Sequence, residues 1–158
     1  IGPATVIGLL DAGSLHRYLI KHAGATADAA LFARGFCSGL ARNEEALAYA
    51  RSLGGRQNVK VAVISNTNPV HTRWLHDAIS ELQAMDTVIL SCEVGLRKPD
   101  SKIYWLAVER LALAPANCFF LDDLAENVAA AQAAGMAGLV HSAWDASRTA
   151  IDAWLAGA

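Results

Sequence analysis

The sequence is short of cysteine, of net charge and of long apolar runs, and each shortage excludes a class of protein. Only three cysteines, Cys37, Cys92 and Cys118, are spread over 158 residues. An odd number without C-x-x-C spacing supports no disulfide framework and points to a reducing cytoplasm. The formal net charge of −2 argues against a nucleic-acid partner. No apolar stretch reaches the roughly 18–20 residues that a membrane span needs. The N-terminal stretch lacks the basic start of a signal peptide. The histidines at 16, 22, 71, 76 and 141 form neither H-x-H nor H-x-x-x-H, so zinc is not indicated. No repeat and no low-complexity segment is present. There is no initiator methionine either: the chain opens at Ile1.

Apolar residues make up 54% of the chain, enough for one ordered domain with a core. From position 59 onward, short apolar runs alternate with helical patterns. Val59 to Ile64 reads as a buried, β-branched strand. Asn68 then caps a helix that opens with Pro69 and runs through Trp74 and Ile79. Thr87 to Leu90 is a second strand. Pro99-Asp100-Ser101 opens a helix with Ile103, Leu106, Ala107 and Leu111 on one face. Asn117 to Leu121 is a third strand, Glu126 to Ala134 a helix stopped by Gly135, and Ala137 to Val140 a fourth strand. A last helix covers 146–156. Such alternation is the mark of a parallel α/β sheet with helices on both faces. The first third differs: Ser14 to His22 and Asp28 to Ser38 read as helices separated at Gly24, and Asn43 caps a third that Gly54-Gly55 ends. Helices ahead of a sheet suggest an accessory bundle or lid. The expected organisation is therefore a helical segment at 1–54 and an α/β core at 55–158.

The most informative local feature is the adjacent pair Asp122-Asp123, at the end of the apolar run Cys118-Phe119-Phe120-Leu121. Two carboxylates in a partly desolvated place repel, and each costs several kcal/mol unless compensated. A divalent cation such as Mg²⁺, with its preference for oxygen ligands, is the usual remedy; the alternative is a loop that opens with two solvated acids, one of them capping the next helix. In parallel sheets, ligands bind beyond the carboxyl ends of the strands, and Ser65-Asn66 occupies a corresponding strand end. Lys98 falls between them in Gly95-Leu96-Arg97-Lys98-Pro99-Asp100, and Asn127 follows the acids. Hydroxyl and amide donors, a lysine and metal-binding carboxylates are the electrostatic kit of phosphoryl transfer.

In this order and spacing, the chain resembles the haloacid dehalogenase-like superfamily of hydrolases. Val61 to Asn68 is similar to its second motif, Glu93 to Asp100 to its third and Phe119 to Val128 to its fourth, followed by Gly135-Met136. The likeness covers about 58–141 and is nearest to the subgroup of small sugar-phosphate phosphatases and the N-terminal phosphatase domain of epoxide hydrolases. Residues 13–53 resemble the end of that subgroup's helical cap. The resemblance implies a Rossmann-like parallel sheet with a partial helical cap. It further implies Mg²⁺-dependent hydrolysis of a small phosphate monoester through an aspartyl-phosphate. Ser65 and Asn66 would bind the phosphoryl group and Lys98 would stabilise the charged intermediate. Asp123 would be a direct Mg²⁺ ligand, Asp122 a second ligand or an orienting group, and Asn127 a hydrogen-bonding neighbour. The superfamily's dehalogenases are metal-free and do not usually carry the acidic pair, so the pair favours a phosphatase over a 2-haloacid dehalogenase.

One part of that kit is missing. The family's attacking carboxylate is the first aspartate of D-x-D, and no D-x-D occurs in the chain. Asp11, after the apolar run 5–10 and followed by Ala12-Gly13, is a partial candidate. It lies too close to Ser65 for a first strand plus a full cap. In the family the nucleophile strand runs between those ending at Ser65 and Asp122, and pairing needs a spacing of about 4.8 Å. The expectation is therefore that the strand is encoded upstream of Ile1. The rival is a catalytically incomplete fragment or pseudoenzyme acting as a binding module. His71 could contact substrate but is expected on a helix surface. Arg97 could orient substrate or a neighbouring carboxylate but is expected to be solvated, Cys92 and Cys118 to serve packing, and the tryptophans to be core or interface. The expected partner is a small-molecule phosphate ester, with no nucleic acid and no membrane; a homodimer stays open.

Overall fold

The computed structural model describes residues 12–23 and 28–157. Asp11, the run 5–10 and the break at Gly24 lie outside the described residues. The chain divides into two compact units, the first ending at Arg97 and the second comprising Lys98–Ala158.

The first unit opens with three helices: α1 (Ala12–Ala23), α2 (Ala29–Cys37) and α3 (Glu44–Gly54). Asp28 caps α2 by accepting the Leu31 N–H at 2.7 Å. Asn43 caps α3 by accepting the Ala46 N–H at 3.0 Å. Each cap satisfies a donor that the first helical turn leaves without a partner. Glu44 and Glu45 lie in the first turn of α3, where the helix dipole favours negative charge. The strand β1 (Ala62–Ser65) pairs in parallel with β2 (Thr87–Leu90), Ala62 opposite Thr87 and Ser65 opposite Leu90. Between them run α4 (Pro69–Ala78) and a 3₁₀ turn at Ser80–Ala84; α5 (Ser91–Val94) follows β2.

The first strand starts three residues later than its β-branched run suggests. Asp86 takes over the rung ahead of it: its Oδ2 accepts the Val61 N–H at 2.7 Å and its own N–H donates to the Val61 carbonyl at 2.9 Å. A side chain thus does the work of a ladder backbone, and the regular strand begins only beyond it.

Two contacts bind the helices to this unit. Cys37 and Val70 form a small buried cluster flanked by Phe32, Ala33, Phe36, Leu40 and Trp74, joining α2 to α4. The second contact is ionic. Arg42 Nη2 donates to Glu81 Oε1 at 2.8 Å and Arg51 Nη1 to the same oxygen at 2.5 Å. Arg42 also bonds the Ala78 carbonyl and Glu44. The Arg42 guanidinium holds the Glu81 carboxyl down at about 2.

The second unit contains α6 (Ser101–Leu111), a 3₁₀ turn at Pro115–Asn117, β3 (Phe119–Asp122), α7 (Ala125–Ala133), β4 (Ala137–Val140) and α8 (Trp144–Gly157). The strands β3 and β4 are parallel, with Phe119 opposite Ala137 and Asp122 opposite Val140. Among the described residues neither ladder has a third strand. The turn at Pro115 takes up Asn117, so β3 starts two residues later than expected and carries Asp122 as its last residue. Asp100 caps α6 by accepting the Lys102 N–H at 3.0 Å. The buried face of α6 is Ile103, Tyr104, Ala107, Val108 and Leu111. Burying each large apolar side chain contributes about 1.5–3 kcal/mol.

Both helix ends here use a left-handed residue. Gly135 (φ 94) ends α7, with the Gly135 N–H on Gln132 and the Met136 N–H on Ala131, the pairing of a Schellman motif. The end of α6 has the same pairing, but with Ala112 (φ 53) in the strained position. Gly138 in β4 lets α7 approach closely: a Cβ there would meet Val128 Cγ1 at 3.1 Å and the Phe120 carbonyl at 3.3 Å.

Gly138→Ala should therefore lose about 1–3 kcal/mol in urea unfolding at neutral pH. Acid unfolding reports on Glu81. Its folded value lies below its ordinary 4.5, so its stabilisation is present above that value and fades as pH falls toward about 2. Glu81→Gln should flatten that part of the stability–pH curve.

Candidate active site

The polar candidates fall into two groups, one in each unit. In the first, β1 ends at Ser65 because the chain leaves the ladder there, and Asn66-Thr67-Asn68 forms the loop into α4. Ser65 is half-buried and Asn66 exposed, whereas Thr67 and Asn68 are buried. Asn68 Oδ1 accepts the N–H groups of Val70 at 3.0 Å and His71 at 3.1 Å, so the cap and Pro69 at the first helical position are as the sequence indicates. Thr67 is held by Ser91: the Thr67 N–H donates to Ser91 Oγ at 2.8 Å, and that hydroxyl donates to the Thr67 carbonyl at 3.1 Å.

In the second unit the candidates form a bonded chain. Lys98 Nζ donates to Asp122 Oδ2 at 2.6 Å, with both side chains nearly buried. A pair this short is a charge-assisted bond, stronger than a neutral one. The other carboxylate oxygen, Asp122 Oδ1, accepts the Leu124 N–H at 2.9 Å and Asn127 Nδ2 at 2.8 Å. Burial pushes the Asp122 carboxyl up, but Lys98, Asn127 and the Leu124 N–H outweigh it and leave it below the ordinary aspartate value. The Lys98 ammonium also lies 5.7 Å from the Phe120 ring centroid, a cation–π distance. Asp123 is exposed.

This arrangement corrects one expectation. The adjacent acids do not share one desolvated place. Asp122 is buried and paired with Lys98, while Asp123 is exposed. Donors suited to a hard cation nevertheless remain. Asp123 offers an exposed carboxylate, and Asp122 Oδ2 has a lone pair beyond its bond to Lys98. Asn127 is 2% exposed, and its Oδ1 is buried without a hydrogen-bond partner. Its orientation is fixed, because Nδ2 must face Asp122, so an acceptor is left waiting for a donor. Among the described residues no three His, Cys, Asp or Glu gather into a cluster. One or two carboxylates with water and substrate oxygens is, however, how Mg²⁺ is commonly held, and these residues fit that pattern.

Sequence reasoning missed two supporting residues. Tyr104 is fully buried, and its hydroxyl donates to the Asn127 carbonyl at 2.8 Å. Its ring meets Phe120 edge-on at 5.2 Å. Burial, then the charges of Asp122 and Glu126, push its hydroxyl up to about 12. Helical spacing from Ile103 could have flagged it as core, but not its bond. Ser91 is the other, and its sequence position gives no sign of its partner. His71 is not a bare surface residue: its ring packs on Phe36 at 4.9 Å, with Nε2 3.3 Å from the Phe36 carbonyl. Cys92 and Cys118 are half-buried, in keeping with packing, and Cys92 Sγ lies 3.3 Å from Thr72 Oγ1. Trp105 is 51% exposed, whereas Trp154 packs on Phe119. No described helix is long and apolar enough to cross a membrane.

A family model described as haloacid dehalogenase-like hydrolase matches residues 21–135. A sesquiterpene phosphatase from Aspergillus oryzae is 36% identical over 89 residues, 56% of this chain and 45% of its own. A phosphatase from Mycobacterium tuberculosis is 34% identical over 82 residues, 51% of this chain and 38% of its own. The chain thus spans less than half the length of these curated relatives. A HAD family enzyme from Bacteroides thetaiotaomicron, solved with magnesium and inorganic phosphate, superposes with a TM-score of 0.80 at 21% identity, covering 89% of this chain and 73% of that one. That likeness establishes the α/β, Rossmann-like fold.

Lys98→Met should cost about 3–5 kcal/mol, because it leaves Asp122 charged and buried without its cation. Asp122→Asn in the same chain should recover part of the loss. In the parent chain this carboxylate stabilises above the ordinary aspartate value and ceases to as acid carries pH down through its lower folded value. With Met at 98 the lysine's lowering influence is gone and the folded value rises from that of the parent, so the stability lost on acidification should shrink. Urea unfolding of the three variants across pH measures both effects.

Proposed function

The chain belongs to the haloacid dehalogenase-like hydrolases, and on that premise we propose that it serves Mg²⁺-dependent hydrolysis of a small phosphate monoester. The observation that carries the reading is the Lys98–Asp122–Asn127 chain with Asp123 exposed beside it. It offers a fixed ammonium for phosphoryl charge, a free-facing carboxylate for a metal, and a buried acceptor oxygen. A dehalogenase acting without metal has no use for the exposed second acid. We retain 1–54 as a partial cap segment and 55–158 as the core.

Each residue has a definable part in this reading. Lys98, oriented by Asp122, neutralises charge on the phosphoryl oxygens. Ser65 and Asn66 offer hydroxyl and amide donors to phosphoryl oxygens. Asp123 and Asp122 would hold Mg²⁺, which when bound adds positive charge against the phosphoryl oxygens. Asn127 fixes Asp122 and offers Oδ1 to a donor such as a water. A carboxylate oxygen attacks phosphorus as the ester P–O bond breaks and the alcohol leaves; water then releases phosphate from the acyl phosphate. The chain has no D-x-D to supply that carboxylate. This absence favours, as the second reading, a binding module without turnover.

The test is hydrolysis of p-nitrophenyl phosphate by the 158-residue chain and by the full product of the gene that encodes it. Turnover should require Mg²⁺, stop with chelator and fall about 100-fold in Asp123→Asn. Turnover by the full product alone would place the attacking carboxylate outside these 158 residues. No turnover by either at saturating Mg²⁺ leaves the binding module, and metal-independent chloride release from a 2-haloacid would establish the dehalogenase.

A further inference from the structure

We propose that Ser91 is the positioning residue of the Ser65–Asn66 loop, holding that loop in the shape that accepts a phosphoryl group. The proposal rests on the reading of Ser65 and Asn66 as phosphoryl-binding residues.

The argument starts where the β1–β2 ladder stops. Its last pair is Ser65 with Leu90. One residue further on, β2 turns into α5 at Ser91, while the other strand continues as the loop 66–68. Backbone rungs can no longer form, because the two chains take different paths. Ser91 Oγ supplies a substitute rung. It accepts the Thr67 N–H at 2.8 Å and donates to the Thr67 carbonyl at 3.1 Å, so both backbone groups of one loop residue are met by one hydroxyl. Ser91 is completely buried and Thr67 is 4% exposed. Water therefore cannot replace the bonds, and an unmet pair there would drive the loop elsewhere.

The far end of the loop is fixed separately by Asn68, through the N–H groups of Val70 and His71. Ser65 and Asn66 thus stand between the end of a ladder and two buried clamps. Thr67 and Asn68 face inward, and Asn66 faces out. The hydroxyl is not spent on capping: no side chain caps α5, whose preceding residue is Leu90. A side chain there that merely filled space would need no hydroxyl. Donors to a phosphoryl group must be placed within a fraction of an ångström, since a shift of about 1 Å can cost 100-fold in rate.

The test compares the parent protein with Ser91→Ala and Ser91→Cys. Inorganic phosphate is titrated in the presence of Mg²⁺ and followed by amide NMR, and exchange of the Thr67 N–H is measured alongside. Ser91→Ala should weaken phosphate binding about tenfold and speed exchange at Thr67, while amides of the second unit keep their shifts. Ser91→Cys, close in size and a weaker hydrogen-bonding group, should fall between; it carries the comparison alone if Ser91→Ala does not fold. With the full gene product, kcat/KM for p-nitrophenyl phosphate should fall in the same order. Unchanged phosphate affinity with Thr67 still protected would reduce Ser91 to packing and overturn the proposal. Failure of the parent protein to bind phosphate would instead remove the phosphoryl-binding reading, and this inference with it.

Discussion

A carboxylate buried at the end of a strand must find positive charge nearby, and in this chain it finds Lys98. The constraint organises the second unit. It ties the start of α7 to β3 through Asn127 and Leu124, with the Lys98 ammonium 5.7 Å from the Phe120 ring centroid. Tyr104 extends the same arrangement by holding the carbonyl of Asn127 from a different helix. A buried ion pair is seldom a net source of stability when compared with apolar packing. Here the pair is held by further donors, the Leu124 N–H and Asn127 Nδ2, which is the geometry on which the proposed function rests.

The first unit meets a different demand. Its loop after β1 must leave polar groups at the surface without letting the backbone wander. The solution is division of labour along four residues: Ser65 is half-buried and Asn66 exposed, while Thr67 and Asn68 are buried and tied down. In both units these residues are held by protein hydrogen bonds: Thr67 by Ser91, and Asp122 by Lys98, Leu124 and Asn127.

Features legible in the sequence are those whose cause is local. Asn43, Asn68 and Asp100 announce their helices because a cap bonds within three residues. Gly135 announces the end of α7 because its backbone conformation suits glycine. Ala112 does the same job without any such sign, since nothing in an alanine foretells a left-handed turn. The ends of β1 and β3 were misjudged because Asp86 and Pro115, each outside the strand it affects, set them. Ser91 and Tyr104 were invisible for a related reason: their partners lie 24 and 23 positions away. The acidic pair was legible as a pair, but not as two acids of opposite orientation, because strand alternation alone does not say which one has a lysine.

The boundary between the units falls between Arg97 and Lys98, so the cation belongs to the same compact unit as the acid it neutralises. The hazardous charge and its antidote are therefore inherited together. A recombination or insertion event that carries Lys98 along with the second unit keeps Asp122 with its cation. One break a single residue later would separate the lysine from Asp122 and leave that acid bare in any new setting.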